Sequence, residues 1–219
     1  MKKLQHIIMI TLILIGLATP ALAQEQTDDF NVAAKHAIAI ETTTGKVLYE
    51  KDATTPDGVA SMTKILTAYM VYKAVDQGKI NWDTEVDISD YPFNLTVDSE
   101  VSNIPLDSRK YTVKQLLDAT LISSANSAAI ALAEKISGTE SAFVDTMTAQ
   151  LKEWGITDAK LFNASGLNNK YLGDNRYPGS KPDDENTMSA LDVAIIADHL
   201  IKDYPQVLEI TKQTETDFE

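Results

Sequence analysis

The chain has 219 residues, 44% of them hydrophobic, no cysteine and a formal net charge of −13. That size and composition allow one large domain or two small ones with a sizeable core and exclude wholesale disorder; the lack of cysteine excludes thiol catalysis, thiolate metal sites and disulfide staples. An acidic surface of this kind repels nucleic acid and anionic lipid, so neither is expected as a partner.

Lys2 and Lys3, the apolar run from Ile7 to Ala18 and the small-x-small site Ala21-Leu22-Ala23 read as a secretory signal peptide over 1–23, followed by polar Gln24-Glu25-Gln26. The run is short for a transmembrane span, and an uncleaved anchor is the competing reading. Export follows from the first reading, and removing the two leader lysines takes the formal charge from −13 to −15. The remainder, 24–219, carries no internal repeat, low-complexity tract or interdomain linker and is expected to be one domain.

Lys35 to Glu41 and Lys46 to Glu50 flank Thr42-Thr43-Thr44-Gly45, the pattern of a hairpin. Asp52 to Gly58, with Pro56 and Gly58, is expected to be a loop leading into a helix over Ala60 to Tyr72 that stops after Gln77 at Gly78. Met62, Ile65, Leu66 and Tyr69 mark one helical face, while Ala68, Val71 and Tyr72 extend apolar character beyond it, as in a helix buried on most sides. From Asn81 to Lys110 the periodicity fades; a cleft wall and a plain surface excursion fit equally well. Thr112-Val113-Lys114-Gln115 is a capping-box signature for a helix through Leu121, and further helices are expected over Ser127 to Ile136, Glu140 to Trp154 and Ala190 to Ile201, the last capped by Ser189. Leu161 to Gly166 reads as a short extended piece with a turn, and polar Asn168 to Asn186 as a loop. Its Asp183-Asp184-Glu185 cluster fits a solvated acidic loop better than a cation site.

The Ala60–Tyr72 helix contains one charge, Lys64, three residues after Ser61 and so on the same side. A hydroxyl beside a desolvated amine is a candidate nucleophile with its base. A helix-capping serine followed by a snorkelling lysine fits the same spacing. Other bases are scarce. His6 leaves with the leader, His36 opens a strand, His199 lies late in a helix, and neither a Gly-x-Ser-x-Gly elbow nor a His-Glu-x-x-His metal motif occurs. A second motif, Ser124-Ala125-Asn126, falls between two helices, where an ordinary polar turn is the bland alternative.

Together, Ser61-Met62-Thr63-Lys64 and Ser124-Ala125-Asn126 resemble the first two of three motifs of penicillin-binding proteins and serine β-lactamases. The wording around them, in Lys35 to Glu41, Ala60 to Lys64, Leu121 to Ala128 and Asn163-Ala164-Ser165-Gly166-Leu167, is similar to the low-molecular-mass D-alanyl-D-alanine carboxypeptidases from about Phe30 onward. The resemblance implies an α/β (α+β) transpeptidase-type fold, an antiparallel sheet with a helical subdomain. It implies Ser61 as nucleophile toward the carbonyl between two terminal D-alanines of a peptidoglycan stem peptide, Lys64 as its base, Ser124 as proton relay and Asn126 as the group holding the substrate amide. Penicillins and other β-lactams would acylate the same serine. No metal or other cofactor is implied.

The third family motif, Lys-Thr-Gly, does not occur in the chain; Thr44-Gly45-Lys46 has the letters in another order. The resemblance therefore implies an N-terminal portion of such an enzyme, truncated before that motif, with an incomplete sheet and weak or no activity of its own, and with any C-terminal membrane anchor lying outside it. An extracytoplasmic, membrane-associated place in the cell envelope is the implied location of the full-length protein. Two rivals stand beside this reading. A class A β-lactamase shares both motifs, but its Glu-x-x-Leu-Asn loop is absent between Lys152 and Asn186. A non-catalytic exported peptidoglycan-binding protein would account for the missing third motif but not for all four of Ser61, Lys64, Ser124 and Asn126.

Overall fold

The computed structural model describes residues 31–97 and 100–215. The signal peptide expected over 1–23 lies outside them. The chain divides into two compact units, Met1–Ala33 and Ala34–Glu219, and the second carries the elements that follow.

The predicted hairpin is β1 (Ala37–Ile40) and β2 (Val47–Lys51), antiparallel, with Ile38 opposite Glu50 and an irregularity between Ala39 and Ile40. Its turn closes through the Glu41 carboxylate, which accepts from the backbone N–H groups of Thr43 and Thr44 at 2.9 and 2.7 Å. The Thr44 hydroxyl, which also donates to this carboxylate, together with those backbone bonds holds the carboxyl down to about 2. The segment expected to be a plain loop contains β3 (Asp57–Gly58). β3 pairs with β6 (Thr187–Met188), at the far end of the polar 168–186 stretch, and so ties the approach to Ser61 to a distant part of the chain.

The central helix is α1 (Thr63–Asp76), preceded by a 3-10 turn over Ala60–Met62 and ended at Gln77. Leu66, Ala68 and Val71 are completely buried, and α1 packs against α3 (Val113–Ile122), α4 (Asn126–Ser137), α5 (Glu140–Glu153) and α6 (Ala190–Asp203). Tyr69 meets Trp154 edge-on at 4.6 Å between ring centroids, and Tyr72 meets Trp82 edge-on at 5.0 Å, the offset geometry that aromatic quadrupoles favour. One expectation fails here: Met62 is 50% exposed. Periodicity assigned it to the buried face, but Met62 belongs to the 3-10 turn, whose residues do not share the helix's angular phase.

The stretch 81–110 is more structured than its composition suggests, with β4 (Glu85–Asp87) and α2 (Asp90–Leu95) inside it. β4 pairs antiparallel with β5 (Lys110–Thr112), whose last residue caps α3. That cap is the predicted box: the Thr112 hydroxyl accepts from the Gln115 backbone N–H, and the Gln115 side chain accepts from the Thr112 N–H at 2.8 Å. Because α3 delivers the chain to Ser124, Thr112→Ala should lower stability by about 1 kcal/mol. A denaturant midpoint unchanged from the parent would show that β5 alone holds this helix start.

α4 is lined by Ala128, Ala129, Ala131 and Ala133, all fully buried, which lets it approach its neighbours closely. Ser189 and Asp192 form a second capping box at α6, and α7 (Val207–Thr211) closes the described chain. Among the described residues the strands form three separate two-stranded antiparallel ribbons, β1–β2, β3–β6 and β4–β5, rather than one continuous sheet. No helix among them is long and apolar enough to cross a membrane.

Candidate active site

Ser61 sits in the 3-10 turn, exposed, immediately after Ala60, whose φ is +43°. A left-handed conformation at a residue with a side chain is costly by about 1–2 kcal/mol and persists only where surrounding contacts impose it. One turn on, Lys64 is 3% exposed, and its side chain runs back toward the helix start, as long helical side chains do. Its Nζ lies 3.1 Å from Ser61 Oγ, 2.7 Å from Asn126 Oδ1 and 2.7 Å from the Ser165 carbonyl oxygen.

Burial pushes the Lys64 amine down to about 7. The three oxygens around it can accept from the charged amine, and they accommodate the neutral form as well. Two partners, a side-chain amide oxygen and a backbone carbonyl, are acceptors only and take the two hydrogens of an uncharged amine. Its lone pair is then left for the Ser61 hydroxyl, which donates.

Asn126 opens α4. Its Nδ2 donates to the Ser102 carbonyl at 2.8 Å, so the 81–110 stretch packs directly against Asn126. Ser124 lies two residues before it in the α3–α4 turn, half-buried, with φ +53°. It is not among the three groups that Lys64 bonds. The structure thus gathers Ser61, Lys64 and Asn126 into one hydrogen-bonded set and places Ser124 on the adjoining strained turn.

The Ser165 carbonyl was not found from the sequence. It belongs to a turn built by Asn163, whose Oδ1 accepts from the N–H groups of Ser165 and Gly166 at 3.2 and 2.6 Å. The Ala164 carbonyl accepts from Thr67 Oγ1 at 2.6 Å, so α1 grips two successive carbonyls of this turn. Asn186 joins in, donating through Nδ2 to Thr63 Oγ1 at 3.0 Å and to the Asn163 carbonyl at 2.9 Å. All of these side chains are buried. The family-like wording of Asn163 to Leu167 marked this turn in the sequence, but nothing in it announced that the Ser165 backbone carbonyl would accept from Lys64.

Beside this set lies a groove of about 400 Å³ lined by Ile38, Met62, Met188, Val193 and Ala197 among others. It flanks the Ser61 turn without reaching Lys64 or Asn126, and the exposed Met62 side chain faces into it.

Residues 21–219 match the model of peptidase family S11, D-alanyl-D-alanine carboxypeptidase. The chain belongs to this family. It is 33% identical over 214 residues to the D-alanyl-D-alanine carboxypeptidase DacF of Bacillus subtilis, covering 96% of this chain and 50% of that protein. Among solved structures, a peptidoglycan synthesis regulatory factor (PBP3) from Streptococcus pneumoniae is 64% identical with a TM-score of 0.85, over 86% of this chain and 53% of that one. Penicillin-binding protein D2 from Listeria monocytogenes, in an ampicillin-bound form, is 26% identical with a TM-score of 0.69, over 84% and 68%. The chain spans about half the length of curated relatives it matches, the carboxypeptidases DacF of Bacillus subtilis and DacA of Escherichia coli. The expected family and fold are therefore shown.

Proposed function

We propose that the protein is a serine-type D-Ala-D-Ala carboxypeptidase that removes the terminal D-alanine of exported peptidoglycan stem peptides through an acyl-enzyme, and that penicillins acylate the same serine. The observation that carries this is the buried Lys64 amine, 3.1 Å from Ser61 Oγ and depressed to about 7. A base with that value is half neutral near pH 7, where general-base catalysis works best.

In this reading Ser61 Oγ attacks the carbonyl carbon of the penultimate D-alanine while its proton passes to Lys64 Nζ. The tetrahedral intermediate collapses as the C–N bond breaks. The leaving D-alanine nitrogen takes a proton by way of Ser124, and Lys64 is restored to its neutral form. Water, deprotonated in the same way, then cleaves the ester and frees Ser61. Asn126 holds the substrate amide through its remaining Nδ2 hydrogen. In a β-lactam the broken C–N bond lies in the ring, so the leaving group stays attached and the ester persists. The protein acts outside the cytoplasm, at the cell envelope.

Membership of the S11 family and the relatives' names favour this reading over a class A β-lactamase. The completeness of the Ser61–Lys64–Asn126 set favours it over a non-catalytic binding protein. Incubated with a labelled penicillin, the full-length protein should gain one adduct, on the peptide containing Ser61, and should release D-alanine from a stem pentapeptide. Ser61→Ala should abolish both. Labelling that persists in Ser61→Ala would remove the nucleophile assignment.

A further inference from the structure

Glu140 opens α5 and in sequence looks like any acid in a first helical turn, where the helix dipole favours it. In the structure it is 6% exposed, which an exposed dipole partner would not be. Burial pushes its carboxyl up to about 7, against two hydrogen bonds that lower it. A carboxyl held inside a protein is costly unless its oxygens are satisfied, and both are. Oε1 accepts from the Ala164 backbone N–H at 2.8 Å, and Oε2 accepts from the Tyr91 hydroxyl at 2.8 Å.

Those two bonds lead to the two groups that hold Lys64 beside Ser61. The Ala164 N–H lies on the turn whose next carbonyl, that of Ser165, accepts from Lys64 Nζ. With Thr67 bonding the Ala164 carbonyl, residue 164 is held by Glu140 at its N–H and by α1 at its carbonyl. Tyr91 lies on α2. At the end of α2 the Leu95 carbonyl accepts from Asn103 Nδ2 at 2.9 Å, and Asn103 Oδ1 accepts from the Ser127 N–H at 2.8 Å. Next to Asn103, the Ser102 carbonyl accepts from both the backbone N–H and Nδ2 of Asn126, at 3.0 and 2.8 Å. Asn126 Oδ1 is the other acceptor of Lys64.

We propose that Glu140 is a positioning residue for the reaction. Its carboxyl is a buried joint that ties the 163–166 turn to α2 and so sets the two carbonyl oxygens that orient the Lys64 amine toward Ser61. This rests on the carboxypeptidase reading above. Sub-ångström placement of a base matters kinetically, since a misplacement of about 1 Å can cost about 10²-fold in rate.

The test is the acylation of the full-length protein by a labelled penicillin, resolved into a limiting rate and a half-saturating concentration. Glu140→Ala should lower the limiting rate by about 10–10²-fold and leave the half-saturating concentration within about threefold, because the ligand-contacting groups remain. Glu140→Gln keeps both contacts, its oxygen accepting from Ala164 and its amide donating to the tyrosine oxygen, and should stay within about threefold of the parent rate. Tyr91→Phe cuts one arm only and should slow the limiting rate less than Glu140→Ala does. It decides the matter should Glu140→Ala fail to fold. An unchanged limiting rate in Tyr91→Phe or Glu140→Ala overturns the inference, and so does a Glu140→Gln variant as slow as Glu140→Ala. A parent protein that gains no adduct at Ser61 overturns the carboxypeptidase reading instead, which keeps the two failures distinct.

Discussion

Lys64→Ala is expected to lower the limiting rate of Ser61 acylation by roughly 10²–10⁴-fold, the range associated with losing a positioned general base. The half-saturating concentration of penicillin should change far less, because the amine acts on the hydroxyl proton and not on the ligand's body. In the parent, the rate should rise with pH and level off above a midpoint near the Lys64 value of about 7, since only the neutral amine accepts the proton. A flat profile across that range, or an alanine variant within about threefold of the parent, would assign the base elsewhere.

Stability carries a matching signature. The unfolded chain keeps Lys64 protonated up to the ordinary 10.5, whereas the folded protein releases that proton near 7. Between those values the unfolded state binds more protons, so this residue's contribution to stability rises with pH. Below about pH 7 the amine is charged in both states, and the folded protein bears the full penalty of burying it. The difference in denaturant midpoint between parent and Lys64→Ala, measured at about pH 6 and about pH 9, should therefore shift in the parent's favour at the higher pH. A constant difference would mean that the amine stays hydrated enough to keep its proton.

Gly166→Ala is expected to be the most damaging single methyl in the site. Gly166 has φ +83°, and an added Cβ would lie 1.8 Å from the Ala60 carbonyl oxygen and 2.9 Å from Thr63 Oγ1. Backbone atoms cannot swing aside as a side chain can, so the turn must move away from α1 or the Ser61 turn must shift. The left-handed backbone and the overlap each cost about 1–3 kcal/mol, which predicts a loss of several kcal/mol. Gly155 provides the control: its φ is +80°, with nothing within 4 Å of an added Cβ. Gly155→Ala should show the conformational cost alone, about 1–2 kcal/mol, with acylation kept. The effect of Gly166→Ala should exceed it and should carry penicillin labelling down with it, because the Ser165 carbonyl is attached to the displaced residue. Equal midpoints for the two variants, with labelling kept, would show that the Ala60–Gly166 approach relaxes without consequence.

Much of the fold was legible because its signals are local. A hairpin around Thr42 to Gly45, a capping box at Thr112, a cap at Ser189 and a helix stop at Gly78 each involve residues within a few positions of one another. α2 escaped because it is six residues long, contains Pro92 and is stabilised by what it touches, Tyr91 on Glu140 and Leu95 in the core. Propensity over so short a stretch cannot outweigh tertiary contact. Met62 was misassigned because a helix apolar on most sides does not reveal where its regular phase begins.

The sequence by itself pointed to Ser61 and Lys64 as a candidate pair, since a spacing of three at the start of one helical segment brings two side chains within reach of each other. It also identified Asn126 by motif. Only the tertiary structure decided the surroundings of that pair. Lys64 is depressed by burial, and burial is a property of the packed helices around α1, not of any neighbour in the chain. Its orientation depends on partners 62 and 101 residues away, one of them a backbone carbonyl that every residue possesses and no residue type announces. Glu140 shows the same limit: its side chain is ordinary in sequence, and only folding brings Ala164 and Tyr91 to its two oxygens.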